Sequence, residues 1–189
     1  MYFVNEKFKA PKNLMIKNGK LSSIVKVITI IGVYMIKIID GKPYLDQVKE
    51  LIQEYTQWLG RDLSFQNLDK ELADIAEKYT APNGELLVAI DDNDVVLGMV
   101  AYYQHSDTRC EMKRLYVRPE GRGHALGNRL IESIMDHAKS SGYKEMVLDT
   151  IEPLQAAIHL YKKHGFVECE PYYHNPMDDV IYMSKELDW

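Results

Sequence analysis

Cysteine is scarce in this chain, with only Cys110 and Cys169 among 189 residues. Two thiols far apart in sequence cannot build a disulfide framework, and they match no metal-binding spacing. Two free thiols in a reducing, cytoplasmic setting follow. Positive charge is also short, at 23 Lys and Arg against 28 Asp and Glu, for a net charge of −5. Gripping a phosphate backbone needs a basic face, so no nucleic-acid partner is expected. An apolar run from Val27 to Ile36 falls well below the roughly 20 residues that cross a bilayer, and no membrane partner is expected. Internal repeats and low-complexity tracts are missing. No Gly-Lys-Ser/Thr follows any glycine-rich loop, which excludes a P-loop.

What remains is a chain with 46% hydrophobic residues, enough for one full core. Residues 1–34 stand apart. They carry Lys7, Lys9, Lys12, Lys17, Lys20 and Lys26 against one acid, Glu6. They read as a basic and apolar N-terminal extension, either an extra strand with a basic arm or residues upstream of a natural start at Met35. Residues 35–189 then form a single domain.

The most informative stretch runs from Leu115 to Met135. Leu115, Tyr116 and Val117 favour a strand that ends before Pro119. Leu126, Leu130, Ile131, Ile134 and Ala138 recur at helical spacing, so the period changes from 2 to 3.6 within a few residues. Between them lie Gly121, Arg122, Gly123, His124, Ala125 and Gly127. Small residues allow close approach to the backbone, and free amides at a helix start attract anions. Arg122 adds a guanidinium fork suited to phosphate oxygens. The stretch therefore reads as a pyrophosphate cradle. A dinucleotide-binding fingerprint is excluded, because its third glycine would fall at Leu126 and no βαβ unit opens there.

Elsewhere, periodicity predicts a strand over Met35–Ile39, a helix after Pro43 that stops at Gly60, and a second helix from about Leu68 to Tyr79. A hairpin of Leu86–Ile90 and Val95–Tyr103 turns at Asp91–Asp94, and a strand over Cys110–Val117 follows. The helix after the cradle closes at Gly142. A short strand spans Lys144–Thr150, and Pro153 opens a helix that ends at Gly165. Strands from Phe166 and from Val180 complete the chain, with a polar loop over Glu170–Asp179. The order indicates an α/β (α+β) sandwich around a mixed sheet.

Three features together resemble the GNAT superfamily of N-acetyltransferases. They are the strand Leu115–Val117, the Arg122-x-x-Ala125-x-Gly127 spacing, and Ala157-x-x-Leu160-Tyr161-x-x-x-Gly165-Phe166. The likeness covers about residues 35–189. The first motif glycine of the family is Ala125 here, and the Asn that many members place seven residues before the helix tyrosine is Leu154.

The resemblance implies a mostly antiparallel central sheet flanked by about four helices and splayed at the cofactor strand. It implies acetyl-CoA as co-substrate, with no metal. Backbone groups of Leu115, Tyr116 and Val117 would pair with the pantetheine arm, and Arg122, Gly123, His124, Ala125, Leu126 and Gly127 would hold the pyrophosphate. Tyr161 would be the general acid for the departing thiolate, and Glu111 would be a base. Tyr172, Tyr173 and His174 would wall the substrate, with His174 a second candidate base. The expected activity is direct acetyl transfer to a primary amine of a small molecule or peptide, in an enzyme that could be a homodimer. A non-catalytic acyl-CoA-binding module is the alternative. Lys113 and Arg114 read as solvated charges without a role. His159 and His164 read as helix-surface residues rather than metal ligands.

Overall fold

The computed structural model describes residues 35–61 and 68–187. The expectations for residues 1–34 lie outside the described residues. The domain from Met35 onward is built on a seven-stranded sheet. Its strands are β1 (Lys37–Asp40), β2 (Gly84–Ile90), β3 (Val96–Gln104), β4 (Arg109–Val117), β5 (Glu145–Ile151), β6 (Val167–Glu168) and β7 (Val180–Glu186). They lie in the order β1-β2-β3-β4-β5-β7-β6, and every neighbour pair is antiparallel except β4 and β5.

Among the described residues, five α-helices cover the sheet: α1 (Leu45–Leu59), α2 (Leu68–Ala73), α3 (Ile75–Tyr79), α4 (Leu126–Ser140) and α5 (Gln155–Lys163). Strand β2 shows why both faces need cover. Leu87 and Ala89 enter one core, while Leu86, Val88 and Ile90 enter the other. The first core is closed by Leu126, Leu130, Ile131, Ile134 and Ala138 of α4 and by Tyr161 of α5. The second is closed by Val48, Leu51 and Ile52 of α1 with Ile75 and Tyr79 of α3.

The single helix expected over 68–79 is in fact two. Asp74 leaves helical geometry, and its side chain accepts the Glu77 amide at 2.9 Å, which caps a new helix. Gly60 ends α1 in the left-handed region at φ 64°, as its position after the apolar stripe requires. Arg118, just past β4, forks onto Glu54 of α1 at 2.6–3.2 Å and donates to the Val96 carbonyl at 2.8 Å. That clamp fixes the strand end from which the glycine-rich loop departs.

Candidate active site

The two parallel strands pair for only three positions. Arg109 faces Glu145, Cys110 faces Met146 and Glu111 faces Val147, and beyond these β4 and β5 part. A bulge in β4 accompanies the parting. Pairing with β3 passes from Ala101↔Lys113 to Met99↔Tyr116, so β4 spends one extra residue. That residue is Arg114, held at φ 60°, where a side chain other than glycine is strained. The alternation of faces then reverses. Met112 packs in the α4 core, and so do Leu115 and Val117, although the step from Met112 to Leu115 is three positions, which in an unbroken strand would put them on opposite faces.

The parting opens a cleft of about 130 Å³ between the two cores. Tyr55 of α1, Leu115 of β4, Asp149 and Ile151 of β5, and Leu154 and Tyr161 of α5 line it. Tyr161 is buried and meets Phe166 edge-on at 6.0 Å. Among the described residues its hydroxyl has no hydrogen-bond partner. Burial, reinforced by Tyr55 and Asp149, holds its ionisation well above that of an ordinary tyrosine, so the phenol keeps its proton. Leu154 gives the cleft an apolar wall.

The glycine-rich loop follows at the far end of β4. Pro119–Gly121 makes one 3₁₀ turn, Gly123 lies at φ 85°, and Ala125 caps α4 at φ 53°. Among the described residues the amides of Gly123, His124 and Ala125 make no protein hydrogen bond. The first intrahelical bond runs from the Arg129 amide to the Ala125 carbonyl at 3.2 Å, which leaves the amides of Leu126, Gly127 and Asn128 as helix orphans. Arg122, Gly123 and His124 are exposed beside them. Such a run of unpaired donors at a helix start fits a pyrophosphate. The glycines divide the labour. Only Gly123 needs its φ with open space around it, whereas a Cβ on Gly127 would sit 2.9 Å from Leu160 of α5.

A second pocket, of about 210 Å³, opens on the α2–α3 side of β4. Lys113 and Arg114 line both it and the cleft. Here the structure corrects the sequence reading, because neither cation is solvated: their side chains are 15% and 5% exposed. The bulge turns both side chains to one side of the sheet, where each meets buried carboxylates. Lys113 contacts Glu111 at 2.6 Å and Asp149 at 2.5 Å. Burial alone would drive its proton off, but Asp149 and Glu111 outweigh burial and hold its ionisation above the ordinary lysine value. Arg114 donates to Glu71 at 2.6 Å, and Lys78 reaches the other oxygen of Glu71 at 2.9 Å. Burial raises the Glu71 carboxyl, yet Arg114 and Lys78 together bring it down to about 2.

Glu111 is fully buried at the floor of this pocket. It accepts hydrogen bonds from Tyr103 and, at 3.2 Å, from Tyr172. Tyr173 donates to Asp149 at 2.9 Å, and His174 lines the pocket. Glu111, Tyr173 and His174 therefore line one space, and Tyr172 reaches it through its hydrogen bond to Glu111. Tyr161 faces the neighbouring cleft, and the cradle lies at the other end of β4. His159 is exposed, and His164 lies 3.2 Å from Asn128 at the start of α4. No group of three or more potential metal ligands occurs among the described residues.

Residues 45–166 match the model of the acetyltransferase (GNAT) family. The chain belongs to that family. It is 50% identical to an uncharacterised N-acetyltransferase of Schizosaccharomyces pombe over 144 residues, 76% of this chain and 88% of the relative. A GNAT-family acetyltransferase from Staphylococcus aureus shares its fold at a TM-score of 0.69 and 20% identity, over 81% of this chain and 99% of that one. The Salmonella typhimurium protein yncA, solved with its cofactor acetyl-CoA, superposes at a TM-score of 0.57 and 20% identity, covering 81% and 94% of the two chains. The chain is thus an acetyltransferase of a family that uses acetyl-CoA.

Within this GNAT domain, sequence reasoning missed Glu71, Lys78, Tyr103, His105, Lys113, Arg114 and Asp149. A signal existed for one of them. Glu111 and Lys113 alternate at the period of a strand, so two opposite charges had to share one face of a central strand. A solvated strand face would not sit in the middle of a sheet covered on both sides.

Proposed function

We propose that this enzyme transfers an acetyl group from acetyl-CoA directly to a primary amine of a small molecule or peptide. The observation that carries the reading is the Tyr161 hydroxyl, neutral and without a hydrogen-bond partner among the described residues, facing the cleft where β4 leaves β5. The co-substrate supplies an activated acetyl thioester. The backbone of Leu115, Tyr116 and Val117 offers an unpaired strand edge to the pantetheine arm. Arg122 and the amides from Gly123 to Gly127 hold the pyrophosphate.

Glu111 takes the proton that the amine sheds as its nitrogen bonds the acetyl carbon. Tyr161 gives its own proton to the sulfur as the carbon–sulfur bond breaks. A phenol held neutral by burial is available for that donation at any physiological pH. Tyr172, Tyr173 and His174 wall the acceptor. An acyl-cysteine relay has no support, because Cys110 is buried and burial pushes its thiol up to about 12, where no thiolate forms.

Free-thiol release over an amine panel tests the reading. Tyr161→Phe should lower turnover by about 10²–10⁴-fold with acetyl-CoA affinity unchanged. Full turnover in that variant contradicts the assigned acid. Acetyl-CoA binding without amine-dependent thiol release would instead support a binding module.

A further inference from the structure

The acceptor pocket is bounded by two charge clusters of opposite sign. In the first, Lys113 stands between Glu111 and Asp149, so two carboxylates share one ammonium and one negative charge is left over. In the second, the single carboxylate of Glu71 is shared by Arg114 and Lys78, which leaves one positive charge over. The clusters branch from consecutive residues of β4, because the bulge at Arg114 turns its side chain to the same side as that of Lys113. Glu71, Lys78, Glu111, Lys113 and Arg114 all line the same pocket of about 210 Å³.

Tyr103 measures the gap between the poles. Its hydroxyl donates to Glu111, and its ring lies 4.7 Å beneath the Lys78 ammonium. The poles are therefore about one tyrosine side chain apart. Of the two cations that share Glu71, Arg114 is almost wholly buried, whereas the Lys78 side chain is 33% exposed and able to meet a ligand.

We infer that the acceptor is a small zwitterion, an amino acid with a free carboxylate close to its amine. The amine lies at Glu111 and the carboxylate at Lys78. The inference deepens the transferase reading and rests on it. A plain amine would answer only the negative pole and leave the surplus positive charge beside Glu71 without a partner from the ligand. A peptide amine brings a neutral carbonyl where Lys78 calls for an anion. The pocket is smaller than the roughly 300–1,000 Å³ of sites for drug-sized ligands, which suits a molecule of this size. It opens into a wider groove that shares Glu71, Lys78, Tyr103 and His105 with it, and this groove gives the acceptor side chain room to extend. Acetylation removes the positive charge of the amine but keeps the carboxylate. The product therefore loses its hold on the Glu111 pole and leaves.

Matched trios test this: an amino acid, its decarboxylated amine and its carboxamide, for acidic, basic, aliphatic and aromatic side chains. Thiol release is read for each with the full-length protein. The best amino acid should exceed both of its partners at least ten-fold in kcat/KM. Lys78→Met should raise KM for the amino acid about ten-fold and shrink that ratio. An amine or carboxamide used as well as its amino acid overturns the inference and leaves the transferase reading standing. No thiol release with amino acids, amines or peptides alike overturns the transferase reading itself.

Discussion

Glu71 shows how a single residue ties stability to the site. Its carboxyl sits at about 2 in the folded chain against an ordinary 4.5, because Arg114 and Lys78 outweigh the cost of burial. A carboxyl depressed on folding adds stability that is complete above the unfolded value and is lost as pH falls towards the folded one. At about 1.4 kcal/mol per unit, the contribution is on the order of 3 kcal/mol. Urea unfolding of the wild type should therefore weaken by that amount between about pH 4.5 and pH 2. Glu71→Gln should be less stable at neutral pH by about 3–5 kcal/mol, since it strands the buried Arg114 and leaves Lys78 unpaired. The variant should also lack this acid limb. An equal acid limb in wild type and variant would contradict the assignment.

The glycine-rich loop carries its strain at the level of the element. Ala125 starts α4 in the left-handed region at φ 53°, a conformation that costs a residue with a Cβ about 1–2 kcal/mol. Ala125→Gly removes that strain but frees the unfolded chain by about 0.4–1 kcal/mol. A net gain of about 0.5–1 kcal/mol is expected, visible as a higher urea midpoint. Gly123 is the complement: its φ is 85° and nothing lies within 4 Å of an added Cβ. Gly123→Ala should cost about 1 kcal/mol through backbone strain alone. Loss of stability in Ala125→Gly would mean that the loop is not held as described. This strand-loop-helix element was the most legible part of the chain, because its hydrophobic period changes where the small residues cluster. The bulge at Arg114 was not legible. A positive φ at arginine has no local signature, and without it Lys113 and Arg114 point to opposite faces. The break at Asp74 was equally hidden, because a capping aspartate inside an apolar stripe looks like an ordinary polar helix position.

Across the whole molecule, the active site exists because strands distant in sequence part at one place. Glu111 and Asp149 lie on neighbouring parallel strands, and the loop carrying Tyr172 and Tyr173 closes over both. The motifs in β4, α4 and α5 placed the strand, the glycine-rich loop and the tyrosine-bearing helix in advance. The acceptor side depends on α2, α3 and that loop, which meet β4 only through long-range packing, so no local pattern announced Glu71, Lys78 or Asp149. The two sides share Lys113 and Arg114, which line both the cleft and the pocket. In the proposed reading, charge complementarity divides the work, with the amides and Arg122 assigned to phosphate at one end and the two charge clusters to the acceptor at the other.

Acetyl-CoA binding by calorimetry, on the wild type and on Arg122→Glu, tests the cofactor cleft most directly. The wild type should bind with one site, and Arg122→Glu should bind about 10–100-fold more weakly, as expected for losing charge-assisted contacts to phosphate. Wild-type protein that does not bind acetyl-CoA, or a variant that binds as tightly as the wild type, would contradict the placement of the cofactor along β4 and the loop that follows it.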